Sequence, residues 1–388
     1  MLSERTRFDL RPNRLAARLA ERRAGGAPFI DLTQSNPTRA GLAAARDLLA
    51  PLADAAALRY DPLPFGLPEA RAAVARDFAG RGYPLEPERV LLHASTSEAY
   101  GFLFKLLCDP GDEVLVPRPG YPLFDFLAGL ESVRVRSYAL AWDGEWHLDV
   151  AAVAAALGPR TRAIVAVSPG NPTGAYLKCS ELSRLEALCA ARGVALVADE
   201  VFADFPLRED ERRAASVARD SPALAFALGG LSKSCGLPQL KLAWTAVVGP
   251  EPLRREALAR LEVVADTYLP VSTPAQVAAP ALLGRKAELQ APIRARVAGN
   301  LDALRSALAP GSLATLLEPE GGWSAILRVP ATCTEEERAL RLLERHGVLV
   351  HPGYFFDFPG EAYLVLSLLP PPAEFREGVA RVLADLVL

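Results

Sequence analysis

Lys233 stands in Gly230-Leu231-Ser232-Lys233-Ser234-Cys235-Gly236 and is one of only five lysines in a chain with thirty-eight arginines. An arginine stays protonated in any protein environment, whereas a desolvated lysine can lose its proton and attack a carbonyl carbon as a free amine. Lys233 is therefore a candidate Schiff-base nucleophile, set against the usual fate of a lysine, a solvated surface amine. Two more groups share its setting: Asn171 in Ser168-Pro169-Gly170-Asn171-Pro172-Thr173-Gly174, and Asp199 in Asp199-Glu200. Taken singly, Asn-Pro-x-Gly is a common turn and an acid after a strand is a common helix start. What distinguishes them is that an amide, a carboxylate and a lysine each follow a short apolar run.

The elements that must position these residues are visible as apolar runs of strand length at 90–92, 113–116, 133–135, 163–167, 194–198, 223–228 and 242–248. Helical patterns lie between several of them, at 97–107, 121–130, 150–157 and 180–191. Such alternation predicts an α/β fold, a mostly parallel seven-stranded sheet with helices on both faces. Ligands of such sheets bind beyond the carboxyl ends of the strands, the edge on which Asn171, Asp199 and Lys233 emerge together. Beyond residue 250 the pattern changes to long helices at 251–266 and 287–308, a strand at 323–329, a helix at 334–346, a strand at 363–368 and a closing helix at 372–388. This predicts a large domain over 45–270 and a smaller α+β domain made of 1–44 and 271–388. No internal repeat or low-complexity stretch interrupts the pattern.

Composition removes several classes of function. A formal net charge of −3 and the absence of a basic cluster leave no surface for nucleic acid. The charged start and the lack of an apolar run near the roughly 20 residues of a membrane span give the expectation of a cytoplasmic protein without a membrane partner. Cys108, Cys179, Cys189, Cys235 and Cys333 are odd in number and form no C-x-x-C pair, so they read as reduced and packed. His93, His147, His346 and His351 show no metal-ligand spacing, and no metal is expected. No G-x-S-x-G elbow, dinucleotide fingerprint or P-loop is present.

With these residues in view, the chain resembles the class I/II aminotransferases, pyridoxal-phosphate enzymes of fold type I. The matching pieces, in order, are Tyr60-Asp61-Pro62 before Gly66-Leu67; Ser95-Thr96-Ser97-Glu98-Ala99; Asp109 to Val114; Pro119-Gly120-Tyr121-Pro122; Asn171-Pro172-Thr173-Gly174; Asp199-Glu200-Val201-Phe202; and Leu231-Ser232-Lys233. Seven ordered matches over most of the chain are far more specific than any one of them. The resemblance implies pyridoxal 5'-phosphate as cofactor, Lys233 as its covalent anchor and as the acid and base at the substrate's α carbon, and Asp199 as partner of the pyridine nitrogen. It implies that Asn171 donates to the ring's phenolic oxygen, that Tyr121 stacks on the ring, and that Ser95, Thr96 and Ser232 meet the phosphate, the first two at a helix N-terminus. Tyr60 would reach the phosphate of a neighbouring subunit, which implies a homodimer with shared sites.

Several positions depart from the family pattern. Phe202 stands where a Tyr usually donates to the phenolic oxygen, and Lys241 stands where a phosphate-binding Arg is usual, keeping the charge without the bidentate fork. Val365, in Tyr363-Leu364-Val365-Leu366-Ser367, stands where an Arg forks onto the substrate carboxylate, and a valine cannot replace it. Arg39, in Ser35-Asn36-Pro37-Thr38-Arg39, is the candidate substitute, with Asn36 beside it; Phe65, Trp323, Tyr354, Phe355 and Phe356 could wall an apolar pocket. The expected activity is transfer of an amino group from a small-molecule amino donor to a 2-oxo acid acceptor by a ping-pong cycle. The alternative is a lyase, decarboxylase, cyclase or oxidase of the same fold, acting on an amino acid or on an amine without the usual carboxylate contact. A cofactor-binding module of a transcription regulator is the third reading, disfavoured by the lack of a basic face.

Overall fold

The computed structural model describes residues 1–42, 46–308 and 310–387. Among these, the strands in chain order are β1 (Ile30–Asp31), β2 (Val90–His93), β3 (Glu113–Arg118), β4 (Arg134–Trp142), β5 (Trp146–Leu148), β6 (Thr161–Val167), β7 (Ala195–Asp199), β8 (Ala225–Gly230), β9 (Ala243–Val248), β10 (Thr315–Leu317), β11 (Ser324–Arg328), β12 (Val348–Leu349), β13 (His351–Pro352) and β14 (Tyr363–Ser367). The large sheet has the order β2-β9-β8-β7-β6-β3-β4-β5. Strands β8, β7, β6, β3 and β4 run parallel, and β9 runs against both β8 and β2. All seven strand segments expected from the sequence are in this sheet, which has eight strands rather than seven. The eighth, β5, folds back antiparallel on the end of β4, pairing Trp142 with Trp146 and Leu140 with Leu148. Its three residues are too few to show a period in the sequence.

Interior parallel strands are covered on both faces, which is why β7 and β8 are buried along their whole length. Side chains alternate between two cores. Leu196 and Ala198 join Leu92 and Ile164 beneath helices Pro68–Gly80 and Cys179–Arg192, through Val74, Phe78, Leu182 and Leu185. Ala195 and Val197 join Leu91 and Val165 beneath helices Thr96–Leu107 and Glu251–Tyr268, through Tyr100, Leu103, Phe104 and Leu261.

Helix Thr273–Gly284 has no counterpart in the sequence reading, because Pro280 interrupts its pattern; Pro274 stands in its first turn, where proline is tolerated. Its Ala275, Ala278, Ala279 and Leu282 pack into the first of these cores with Ala70 and Val74. A boundary at 271 therefore leaves this helix on the other side from its packing partners; the boundary expected at 44/45 falls on residues outside the described ones. The second sheet, β10-β11-β14-β13, is antiparallel, and β1 pairs in parallel with β12. Its core joins Leu32 of the N-terminal segment to Leu301 and Leu304 of helix Lys286–Ala307 and to Phe375, Val379 and Val382 of helix Pro372–Asp385. The predicted helix at 334–346 is an α-helix only over Glu335–Arg341 and continues as a π-helical turn, Leu342–His346. Among the described residues no helix is long and apolar enough to cross a membrane.

Candidate active site

At the carboxyl edge of the large sheet lies a cavity of about 240 Å³. Nine of the residues singled out from the sequence line it: Ser95, Thr96, Tyr121, Asn171, Asp199, Phe202, Ser232 and Lys233, with Trp323 closing it from the second sheet's side. The three strand ends converge because their loops are tied to one another. The backbone N–H of Ser168, at the end of β6, donates to the Asp199 carbonyl at 2.9 Å, and the N–H of Glu200 donates to Leu228 of β8 at 2.9 Å. The Asn171 loop closes with the Gly174 N–H donating to Gly170 O at 2.8 Å, and Leu177 N–H to Ser168 Oγ at 3.0 Å.

Lys233 sits in the short turn Leu231–Ser234 directly after β8. That turn is pinned by Ser234 Oγ donating to Gly230 O at 2.9 Å and by Gln290 Nε2 donating to Ser234 O at 2.8 Å. The amine lies 5.5 Å from the Phe202 ring centroid and 5.4 Å from that of Trp323. Burial pushes its pKa below the ordinary lysine value, opposed by the charge of Asp199. A lysine so placed holds a larger fraction of free amine at neutral pH than a surface lysine does.

Asp199 is 7% exposed. Its Oδ2 accepts from the Tyr100 hydroxyl at 3.2 Å and its Oδ1 from the Val201 N–H at 3.1 Å. Burial raises its pKa to about 6, against the lowering effect of those two hydrogen bonds and of Lys233. Tyr100, in the first turns of helix Thr96–Leu107, escaped the sequence reading; its only signal there is a polar tip on the apolar face of that helix. At the other end of the cavity Ser95 caps the same helix, its Oγ accepting from the Glu98 N–H at 3.1 Å while Glu98 returns to the Ala94 N–H at 2.7 Å. This capped end presents the hydroxyls of Ser95, Thr96 and Ser97 and the helix's free amides to the cavity.

Other expected site residues lie elsewhere. Tyr60 is 69% exposed, and Lys241 and Arg39 are exposed and outside the cavity lining. Asn36 spends its Oδ1 on Thr38, accepting at 3.0 Å from its N–H and at 2.8 Å from its hydroxyl. Phe65 packs against the core on the Tyr100 face of the sheet. Val365, in the middle of β14, is buried with Trp146, Ala175, Ile326, Phe356 and Phe358. Phe355 and Phe356 pack on His351 rather than in the cavity. Ser35 and Ser324 line the cavity and carried no signal in the sequence. Lys233 is the one cationic side chain among the described residues of the lining. No group of three or more metal-ligating side chains occurs among the described residues.

The donor set fits pyridoxal 5'-phosphate. A desolvated amine suits its aldehyde, and a buried carboxylate whose direct partners are both neutral suits a protonated ring nitrogen. Hydroxyls at the N-terminus of a twelve-residue helix suit its phosphate. Fold and site thus define a pyridoxal-phosphate enzyme of fold type I. The chain belongs to the aminotransferase class I and II family, whose model matches residues 28–382. It is 28% identical over 321 residues to an alanine aminotransferase of Mycobacterium bovis, covering 80% of this chain and 74% of that one. It is 30% identical over 304 residues to an arginine–pyruvate transaminase of Pseudomonas aeruginosa, covering 78% and 75%. The fold superimposes with a TM-score of 0.90 on an alanine aminotransferase from Pyrococcus furiosus, at 24% identity and covering all of both chains. The protein is an enzyme, a pyridoxal-phosphate-dependent aminotransferase acting between an amino acid and a 2-oxo acid.

Proposed function

We propose that Lys233 holds the cofactor covalently and, released by the incoming amine, carries the proton at the substrate's α carbon. The observation that carries this reading is the position of its amine, desolvated between two aromatic rings and near Asp199. When bound, pyridoxal phosphate supplies a carbonyl that exchanges amino groups and a ring that accepts the electron pair released at that carbon. Asp199 keeps the ring nitrogen protonated, and Tyr100 and the Val201 amide hold the carboxylate in place for it. Asn171 donates to the phenolic oxygen, with Phe202 beside it contributing only its ring face. Tyr121, itself braced edge-on by Phe124 at 5.7 Å, covers the other part of the cofactor. Ser95, Thr96 and Ser232 bind the phosphate; Lys241, exposed and outside the lining, would add charge to it only once the cofactor is bound.

The substrate is an α-amino acid exchanged with a 2-oxo acid, as in the alanine and arginine–pyruvate transaminases the chain is similar to. Among the neutral donors of the lining, the hydroxyls of Ser35 and Ser324 and the Asn171 amide would meet a carboxylate. Val365, without charge and buried among rings, supports the second reading, that a donor lacking the α-carboxylate is also taken. Anaerobic mixing of the loaded enzyme with single donors, including simple amines and no acceptor, tests both. Stoichiometric oxo product and loss of the visible band are expected from at least one amino acid. Release of ammonia or carbon dioxide with no oxo acid from any donor would rule transamination out.

The working unit in this reading is a homodimer in the cytoplasm. Support comes from the exposure of Leu58, Tyr60, Val263, Tyr268 and Leu269 and from five free cysteines. Mixing inactive Lys233→Ala and Tyr60→Ala chains restores activity if sites are shared, and none if they are not. The large domain in this reading extends through helix Thr273–Gly284, and helix Lys286–Ala307 begins the small one.

A further inference from the structure

The turn that brings Trp323 to the cavity is fixed by buried charge. Glu320 is 2% exposed and Lys178 5% exposed. Glu320 Oε2 accepts from the Tyr176 N–H at 3.2 Å and forms a short pair with Lys178 Nζ, while Oε1 accepts from Arg208 Nη2 at 3.0 Å. Lys178 also faces Asp210 Oδ2 at 3.5 Å, and Arg208 and Arg212 close on Glu145 at 2.9 and 2.8 Å. Three cations, Lys178, Arg208 and Arg212, thus face three carboxylates, Glu320, Asp210 and Glu145.

The backbone after Glu320 is confined on both sides. Leu207 N–H donates to Glu320 O and Gly322 N–H to Phe205 O, each at 2.9 Å. A Cβ on Gly321 would lie 2.9 Å from Phe205 O and against the Tyr176 ring. On the opposite flank a Cβ on Gly174, whose φ is +70°, would meet Gly321 O at 2.6 Å. The segment 320–322 therefore threads between the Asn171 loop and the Phe202–Leu207 segment. It delivers Trp323 edge-on to Phe202 at 5.2 Å and to Phe205 at 5.0 Å, with the Lys233 amine over its ring. A buried ion pair adds little net stability but is costly to break, so its use is to specify geometry. Aromatic contacts alone would let the indole slide.

We propose that Glu320 is a positioning residue of the amino-transfer site: paired with Lys178 and Arg208, it fixes the turn 321–323 so that the Trp323 indole closes the cavity beside the Lys233 amine. The inference rests on the reading of Lys233 as the cofactor lysine. Glu320 touches neither substrate nor cofactor and acts only through Trp323.

The test compares Glu320→Gln, Trp323→Phe and the double variant, with Arg208→Gln as a milder cut into the same pairing should Glu320→Gln not fold. The readouts are the pH profile of pyridoxal phosphate capture by the apoenzyme, which requires the free amine of Lys233, and the separate kcat and KM. Loosening the indole admits water to Lys233, whose amine also feels the charge of Asp199 and shares the cavity with Tyr121. Regained hydration can raise a buried lysine by units, whereas the lost ring contact lowers it by only about half a unit. The capture midpoint in Glu320→Gln is therefore expected to move up by about one unit. A fall in kcat of about tenfold or more with little change in KM is expected as well. Arg208→Gln shifts both in the same direction and less, and the double variant equals Trp323→Phe alone. A lowered melting temperature with midpoint and kcat unchanged, or effects of Glu320→Gln and Trp323→Phe that multiply, overturns the proposal. If wild-type apoenzyme captures no cofactor through Lys233, it is the reading of Lys233 that fails.

Discussion

The two sheets face the same cavity with opposite chemistry. The large sheet presents three polar groups, Asn171, Asp199 and Lys233, at the ends of adjacent strands. The loops that carry Asn171 and Lys233 are closed by their own hydrogen bonds, and the Asp199 carboxylate is held by Tyr100 and Val201. The small sheet presents Trp323 and Ser324, while Val365 of β14 is buried with Trp146, Phe356 and Phe358, opposite His351 of β13. In the function proposed above, the first region handles the cofactor and the second the substrate. On the small-sheet side β14 carries no charged residue, and the buried pair of Glu320 with Lys178 lies outside the cavity lining.

The sharpest way to break the contrast is on the large-sheet side. Asp199→Ala leaves Tyr100 without its acceptor and the ring nitrogen without a counter-charge, so kcat/KM is expected to fall by about 10²- to 10³-fold, measured by steady-state kinetics on saturated cofactor. If activity stays within a few-fold of wild type, Asp199 is not the partner of the ring. On the small-sheet side Val365→Arg forces a guanidinium among Trp146, Phe356 and Phe358. A loss of about 3 kcal/mol or more in urea unfolding is expected; unchanged stability with tighter carboxylate binding would mean that β14 faces the substrate after all.

A smaller effect separates two neighbouring carboxylates of the large sheet. Glu200 lies next to Asp199 but is bound away from the cavity, accepting from Ser216 Oγ at 2.8 Å and the Val217 N–H at 2.7 Å, with Arg81 Nη1 at 3.8 Å. Burial raises its pKa to about 7 from the ordinary 4.5, against the lowering by Arg81 and by those hydrogen bonds. The folded state then binds the proton more tightly than the unfolded chain. Its contribution is present below about 4.5 and is lost as the pH rises to about 7. Glu200→Gln should remove about 1–3 kcal/mol of that pH dependence from apoenzyme stability, read from urea midpoints across the window; an identical slope in both proteins would contradict the assignment. The smallest effect expected is from Phe202→Tyr, which restores a hydroxyl near the phenolic oxygen. It should shift the pH midpoint of the visible band and change kcat by about threefold or less, since one hydrogen bond contributes about 1 kcal/mol.

Legibility in the sequence follows the same division. Strands buried on both faces write themselves as continuous apolar runs, so β2, β3, β6, β7, β8 and β9 could be read, and with them the edge on which Asn171, Asp199 and Lys233 meet; β4, with Tyr138 its one buried residue, showed only its first two residues. Helix Thr273–Gly284 could not, because Pro280 breaks its pattern and only tertiary packing on Ala70 and Val74 explains it. The Tyr100 contact with Asp199 spans 99 residues, and the Glu320 contact with Lys178 spans 142. Neither has a local signature, since each side chain alone looks like an ordinary member of its element. Ser35 and Ser324 enter the cavity only through the way the second sheet docks.

The central claim, that this strand edge anchors the cofactor through Lys233, is tested most directly by reducing the loaded enzyme with borohydride, digesting it and mapping the modified peptide by mass spectrometry. The account predicts a single phosphopyridoxyl adduct on Lys233, lost in Lys233→Ala. An adduct on Lys241, Lys178 or another lysine, or none on a chain that still shows turnover, would contradict it.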